Sequence, residues 1–333
     1  MDNRQIVLAS RPTGVPDDTN FRIETVSLPE PGNGQILLAQ KYLSVDPYMR
    51  WRLSDFKSYS APYDLDEPIS GLGLAQVVES NSPHLKKGDW VKGLFPWAEY
   101  VIAHTDALTK IDDKIGVPVY RYLDVLGFVG YTAYCGLTTL GKPKPGETVV
   151  VSGAAGAVGL LVGQIAKIYG CNVLGIAGTN EKINLLLNEY DFDEAINYKT
   201  SENISQELAE KLPQGIDVYF DNVGGEITDA VFENINTNAR ILICGQISQY
   251  NDDKPEMGPR FLPVVLKKTA TISGFLASQF AHQFGEAGKK LTQWILEGKL
   301  KYTETIVEGF DQIPNAFLGL FSGRNTGKMI VKI

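Results

Sequence analysis

Glu147-Thr-Val-Val-Val-Ser-Gly153-Ala-Ala-Gly156-Ala-Val-Gly159 runs from a short apolar strand pattern straight into a turn of small residues. A helical pattern follows at once. Val158, Leu161, Val162, Ile165 and Ile168 recur at i, i+3, i+4 and i+7, which predicts a helix over 157–169 with these residues on its buried face. Small residues let a backbone approach a pyrophosphate closely. A helix N-terminus adds N–H groups and a partial positive charge. Gly153, Ala154, Gly156, Ala157, Val158 and Gly159 are therefore candidate cofactor-binding residues. The spacing is GxxGxxG rather than GxGxxG, so the motif is weak alone and the alternative is a tight structural turn. Its setting makes it specific.

Downstream, strand patterns at 172–178, 194–198, 217–222, 240–244 and 269–275 alternate with helical stretches. With 148–153 they predict an α/β fold, a doubly wound parallel sheet of six strands. Upstream, short apolar runs at 5–10, 35–43, 73–80, 89–94 and 99–103 are separated by turn residues such as Lys87-Gly88-Asp89. They predict a small sheet or partial barrel. After residue 300 strand patterns at 302–307 and 329–333 flank a short helix at 313–321. The expected organisation is a β-rich domain from 1–124 and 302–333, and a dinucleotide-binding domain from 125–301.

The chain has 333 residues, 44% of them hydrophobic, and a net charge of −8. Its longest basic clusters are lysine pairs (Lys86-Lys87, Lys267-Lys268, Lys289-Lys290), which argues against a nucleic-acid partner. Cys135, Cys171 and Cys244 are far apart and odd in number, fitting a reducing compartment. No run approaches the ~18–20 apolar residues of a membrane span, and no leader pattern opens the chain, so a cytoplasmic protein is expected. His84, His104 and His282 are scattered, and no metal site is expected. No nucleophile motif is present either. The chemistry falls to a cofactor.

The second strand of the α/β region ends Gly175-Ile-Ala-Gly178-Thr179-Asn180-Glu181-Lys182. An NAD site usually has an acid at this tip. Here Gly178 and Thr179 leave room for a 2′-phosphate, and Lys182 can neutralise it. Glu181 is the competing signal, expected to face solvent in the first turn of the next helix. The reading favours NADP(H).

Seven motifs carry a resemblance over nearly the whole chain. They are Leu43-Ser-Val-Asp-Pro-Tyr-Met-Arg50, Val151-Ser-Gly-Ala-Ala-Gly-Ala-Val-Gly159, Gly178-Thr-Asn-Glu-Lys182, Ile196-Asn-Tyr-Lys199, Phe220-Asp-Asn-Val-Gly-Gly225, Cys244-Gly-Gln-Ile-Ser-Gln-Tyr-Asn251 and Gly323-Arg-Asn-Thr-Gly-Lys328. In these the chain resembles the zinc-independent medium-chain dehydrogenase/reductases. Within them it is most similar to the prostaglandin reductases, leukotriene 12-hydroxydehydrogenases and NADP-dependent alkenal double-bond reductases. The resemblance implies a GroES-like catalytic domain joined to a Rossmann domain. Asp46 stands where zinc-bearing relatives have a cysteine, and Gly71-Leu72-Gly73 replaces their Gly-His-Glu.

The resemblance also implies site residues. Lys182 and Tyr198 would hold the 2′-phosphate, Asn222 the ribose, and Cys244 and Gly245 would lie beside the nicotinamide. Phe275 and Leu276 would flank its carboxamide, and Asn325 would reach the cofactor. For Cys244, Phe275 and Leu276 plain core packing is the alternative. The implied reaction is NADPH-dependent reduction of an α,β-unsaturated ketone or aldehyde at its β-carbon, which builds negative charge on the carbonyl oxygen. Tyr250 occupies the catalytic-tyrosine position, also against the cofactor, and Tyr48 is a second candidate donor or packing residue. A tyrosine hydroxyl, with a pKa of about 10, remains a donor at neutral pH. The alternatives are the cofactor's own ribose hydroxyl as donor, a quinone oxidoreductase, and a non-catalytic NADPH-binding protein. A homodimer through the sheet edge near 269–275 is implied. Trp51, Pro96-Trp97 and Gln246 depart from the family pattern and are expected near the pocket or cofactor.

Overall fold

The computed structural model describes residues 1–56 and 58–333. The chain divides into two compact units. One comprises Met1–Leu123, Thr305–Asn325 and Met329–Ile333; the other comprises Asp124–Glu304 and Thr326–Lys328.

In the second unit, the strand Thr148–Ser152 is buried along its whole length. Val149, Val150 and Val151 suit a strand covered on both faces, since β-branched side chains pack well on a pleated surface. The six strands are all parallel, in the spatial order Glu194–Asn197, Asn172–Ala177, Thr148–Ser152, Ile216–Asp221, Ile235–Ile243, Thr271–Gly274. The chain steps outward from Thr148–Ser152 to one side, then crosses back and builds the other. This reversal opens a crevice at the carboxyl ends of Thr148–Ser152 and Ile216–Asp221, where α/β sheets bind ligands. The expected doubly wound sheet is present. Ile235–Ile243 begins five residues before its expected start, because its first half carries polar Asn236, Thr237 and Asn238.

The helix Ala157–Ile168 corrects the expected amphipathic face. It is buried nearly all round from Gly159 to Ala166, whereas Val158 and Ile168 are only partly covered. The sheet lies on one side and the helix Phe128–Cys135 on the other. Gln164 sits inside this apolar packing. Its side chain accepts from the Lys301 amide at 2.7 Å and donates to the Lys301 carbonyl at 3.0 Å. A glutamine here supplies partners for both main-chain groups of one loop residue.

The first unit is built on an antiparallel sheet, ordered Glu304–Glu308, Lys328–Lys332, Gln35–Ser44, Ser70–Ser80, Trp90–Pro96, Thr109–Lys110, with Tyr100–His104 also paired to Gln35–Ser44. The C-terminal strand joins it in the register Ile330↔Ser44. A separate hairpin pairs Asp2–Leu8 with Phe21–Ser27. The second of these strands was not expected, since Arg22, Glu24 and Thr25 interrupt its apolar residues and much of it is exposed. Trp97 is part of the core of this unit. It is 1% exposed and packs against Phe21 and Phe317, in the cluster against which Tyr48 also packs.

Replacing Gln164 with leucine keeps the volume and strands the Lys301 peptide. Each abandoned buried group costs ~1–3 kcal/mol, so Gln164→Leu is expected to lower the unfolding free energy by about 2–4 kcal/mol and to speed amide exchange at Lys301. Urea denaturation and hydrogen exchange would measure both. Wild-type values would refute the role.

Candidate active site

The crevice of the parallel sheet is organised by one buried carboxylate. Asp221 ends its strand with 0% exposure. Its Oδ1 accepts from the Ser152 hydroxyl at 2.8 Å, the Tyr219 hydroxyl at 2.9 Å, and the Val223 and Gly224 amides at 3.0 Å each. Its Oδ2 accepts from the Thr228 hydroxyl and from Gln246 Nε2, both at 2.7 Å. Burial of an ion is tolerated because these donors replace its water. Asn222, the next residue, donates from its amide to Ser152 Oγ at 2.9 Å and from its side chain to the Ser152 carbonyl at 2.8 Å. The ends of the two central strands are thereby locked together where the glycine turn starts.

Gly153 has φ 58° and Gly156 caps the helix without a side-chain cap. A Cβ on Gly159 would lie 2.4 Å from the Gly153 carbonyl, so the helix approaches the turn more closely than any side chain permits. Ala157 and Val158 are partly accessible at the first turn. The Gly327 amide donates to the Ala155 carbonyl at 2.8 Å and holds the turn from the tail. A tight cradle before a twelve-residue helix fits a pyrophosphate.

At the tip of the second strand, the Tyr198 ring lies over Gly178, where a Cβ would meet its hydroxyl at 3.0 Å. Thr179 caps the helix Asn180–Glu189, its hydroxyl accepting from the Lys182 amide at 3.3 Å. Glu181 is exposed, as anticipated. Burial lowers the Lys182 pKa, and repulsion from Lys199 lowers it further. A lysine in a first helical turn already opposes the helix dipole. The set is short of negative charge and fits a phosphate monoester. Lys199 was quoted in the sequence only as part of a motif; its partnership with Lys182 depends on the fold.

The loop after Ile235–Ile243 carries Cys244, Gly245, Gln246 and Tyr250. The Cys244 and Gly245 amides donate to the Asp221 carbonyl at 2.8 and 3.1 Å. The Tyr250 oxygen accepts from the Gln246 amide at 3.2 Å and would lie 3.2 Å from a Cβ on Gly245. That bond uses an oxygen lone pair and leaves the hydroxyl in a donor role. Burial, then the charge of Asp221, pushes the half-buried Cys244 thiol up to about 12. The Phe275 ring is buried against Phe220 and Phe280, so only its backbone can face a cofactor. Leu276 is exposed.

Two candidates belong to the first unit. Tyr48 precedes the short helix Met49–Arg52 and packs against the core around Met49 and Trp97. Burial, reinforced by Asp46, raises its pKa above the ordinary tyrosine range, so it stays protonated. Asn325 is half-buried between Gly323 and Gly327, both at positive φ. Trp51, at 36% exposure, packs edge-on against Tyr59.

The sequence reading overlooked Asp221. An aspartate next to Asn222, Val223 and Gly224 reads as an ordinary turn residue, and only its place at the end of a wholly buried strand hinted otherwise.

Two family models match the chain: an N-terminal domain of oxidoreductase over residues 4–111 and a zinc-binding dehydrogenase over residues 157–293. Among the described residues no three His, Cys, Asp or Glu side chains come together as metal ligands. The chain is 44% identical to the NADPH-dependent curcumin reductase of Escherichia coli strain K12, covering 99% of this chain and 97% of that one. It is 42% identical to the NADP(+)-dependent 2-alkenal reductase of Nicotiana tabacum, covering 100% and 98%. The crystal structure of CurA from Vibrio vulnificus in complex with NADPH superposes with a TM-score of 0.94 at 42% identity, covering 99% and 98%. Fold, crevice and sequence together define a two-unit oxidoreductase of the Rossmann type. This chain belongs to the medium-chain dehydrogenase/reductases, in the branch of the alkenal, curcumin and prostaglandin reductases.

Proposed function

We propose that this NADP(H)-dependent oxidoreductase reduces the C=C bond of α,β-unsaturated ketones and aldehydes. The observation that carries the reading is the Tyr250 hydroxyl, anchored through its oxygen by the Gln246 amide at 3.2 Å. Relatives named for 2-alkenal and curcumin reduction support it. Bound NADPH supplies hydride, which goes to the carbon β to the carbonyl. Negative charge gathers on the carbonyl oxygen, Tyr250 donates a hydrogen bond to it, and a proton from water or from Tyr250 at the α-carbon completes the saturated product. Such a donor is worth about 3–4 kcal/mol when its position is fixed beforehand. Tyr48, held protonated by burial, is the second donor or packs against the substrate.

The glycine turn at Gly153, Ala154, Gly156 and Gly159 holds the pyrophosphate through backbone amides and the helix N-terminus. Thr179, Lys182, Tyr198 and Lys199 hold the 2′-phosphate. Asn222, Gly245, the Phe275 backbone, Leu276 and Asn325 complete the cofactor contacts. We further propose that two copies pair through the strand Thr271–Gly274, an exposed sheet edge with Ile272 at 43% exposure and Leu262 and Leu266 nearly 80% exposed beside it.

In the decisive assay, NADPH oxidation is followed with 2-alkenals, vinyl ketones and a quinone. Saturated carbonyl products are expected, and Tyr250→Phe should lower kcat about 10²-fold with little change in NADPH affinity. Turnover of quinones alone would overturn the reading. Lys182→Ala should weaken NADPH binding about 10–100-fold, the worth of a charged hydrogen bond, and leave NADH nearly untouched. Equal losses for both cofactors would remove Lys182 from the phosphate site. Sedimentation should find dimers, with Ile272→Lys giving monomers. A monomeric wild type would refute the edge pairing.

A further inference from the structure

Gln246 lies in the loop that carries Tyr250, and its surroundings give it a task. Its Nε2 donates one hydrogen to Asp221 Oδ2 at 2.7 Å and the other to the Gly245 carbonyl at 2.9 Å. Two acceptors around one nitrogen fix the orientation of the amide. Its Oε1 fills the space where a Cβ on Gly224 would stand, 2.2 Å away, and Gly224 has φ 79°. Its backbone sits at φ −134°, ψ 54°, outside the regular wells, and that backbone's N–H is the donor to the Tyr250 oxygen. The following residues are stitched to the same turn. The Ile247 amide donates to the Asn222 carbonyl at 3.4 Å, and the Ser248 amide to the Val223 carbonyl at 3.1 Å.

We propose that Gln246 is a positioning residue for Tyr250: its side chain, clamped between Asp221, the Gly245 carbonyl and Gly224, sets the backbone N–H that anchors the Tyr250 hydroxyl. The inference rests on Tyr250 being the catalytic donor. Without the clamp, Asp221 keeps Ser152, Tyr219, Thr228 and the turn amides, so the crevice survives while the Gln246 backbone loses its restraint. Gln246 thereby couples the buried carboxylate of the cofactor crevice to the reacting hydroxyl four residues on.

A double-mutant cycle tests this on the full-length protein: wild type, Gln246→Met, Tyr250→Phe and the double variant. Each is assayed for kcat and KM with a vinyl ketone, for NADPH affinity by fluorescence, and for melting temperature. Methionine preserves the length and removes both donors. Gln246→Met is expected to lower kcat about tenfold, with NADPH affinity within about twofold, and to cost nothing further once Tyr250 is phenylalanine. Should Gln246→Met fail to fold, Gln246→Ala, whose vacated space admits water, takes its place in the cycle with the same expectation. Losses that multiply in the double variant, an unchanged kcat, or an equal loss of NADPH affinity would overturn the positioning role. A Tyr250→Phe variant with wild-type kcat would overturn the reading of Tyr250 itself, and this inference with it.

Discussion

A carboxylate removed from water must recover its solvation from the protein, and Asp221 does so by gathering the structure around itself. Its donors come from the central strand (Ser152), from its own strand (Tyr219), from the turn beyond it (Val223, Gly224), from the next helix (Thr228) and from the loop after the fifth strand (Gln246). Tyr219, Val223, Gly224 and Thr228 lie close to Asp221 in sequence, while Ser152 and Gln246 are brought to it from 69 and 25 positions away. The charge therefore acts as a common anchor: each element can satisfy it only from one place. A neutral residue would hold the same elements more weakly, because hydrogen bonds to an ion are about twice as strong as neutral ones.

In the proposed cofactor site, that anchoring lets one crevice serve the two ends of a long cofactor. Strand ends and helix N-terminus offer main-chain groups at the pyrophosphate, where charge is fixed and side chains would obstruct. At the proposed 2′-phosphate end the positive charges of Lys182 and Lys199 repel one another, and the Tyr198 ring lies over Gly178. The reacting end relies on a loop, and loops need outside restraint. Gln246 and the amides of Cys244 and Gly245 provide it by reaching back to Asp221.

The parallel sheet was legible because its valine and isoleucine runs are short, buried on both faces and separated by turns. The glycine loop was legible because small residues at fixed spacing have few other uses. Phe21–Ser27 was hidden by charged residues that an exposed hairpin tolerates. The helix Ala157–Ile168 misled in a different way: periodicity marks one face, but packing from both sides buried the rest. Gln164 and Asp221 share one reason for being missed. A buried polar side chain looks like a surface one until its partner, 137 or 69 positions away, is brought to it. The aromatic ring of Phe275 shows the converse, a candidate site residue whose side chain serves the core, the alternative its sequence left open.

The cysteines bear on a hazard of the proposed chemistry. Unsaturated carbonyl compounds alkylate thiolates, and a protein that concentrates them exposes its own nucleophiles. Burial pushes Cys135 and Cys171 up to about 11 and Cys244 up to about 12. At neutral pH only about one thiol in ten thousand, or fewer, is then ionised, against a few per cent for an ordinary cysteine. The packing that buries these thiols also keeps them protonated, so an unsaturated carbonyl substrate of the proposed reaction would meet thiols rather than thiolates.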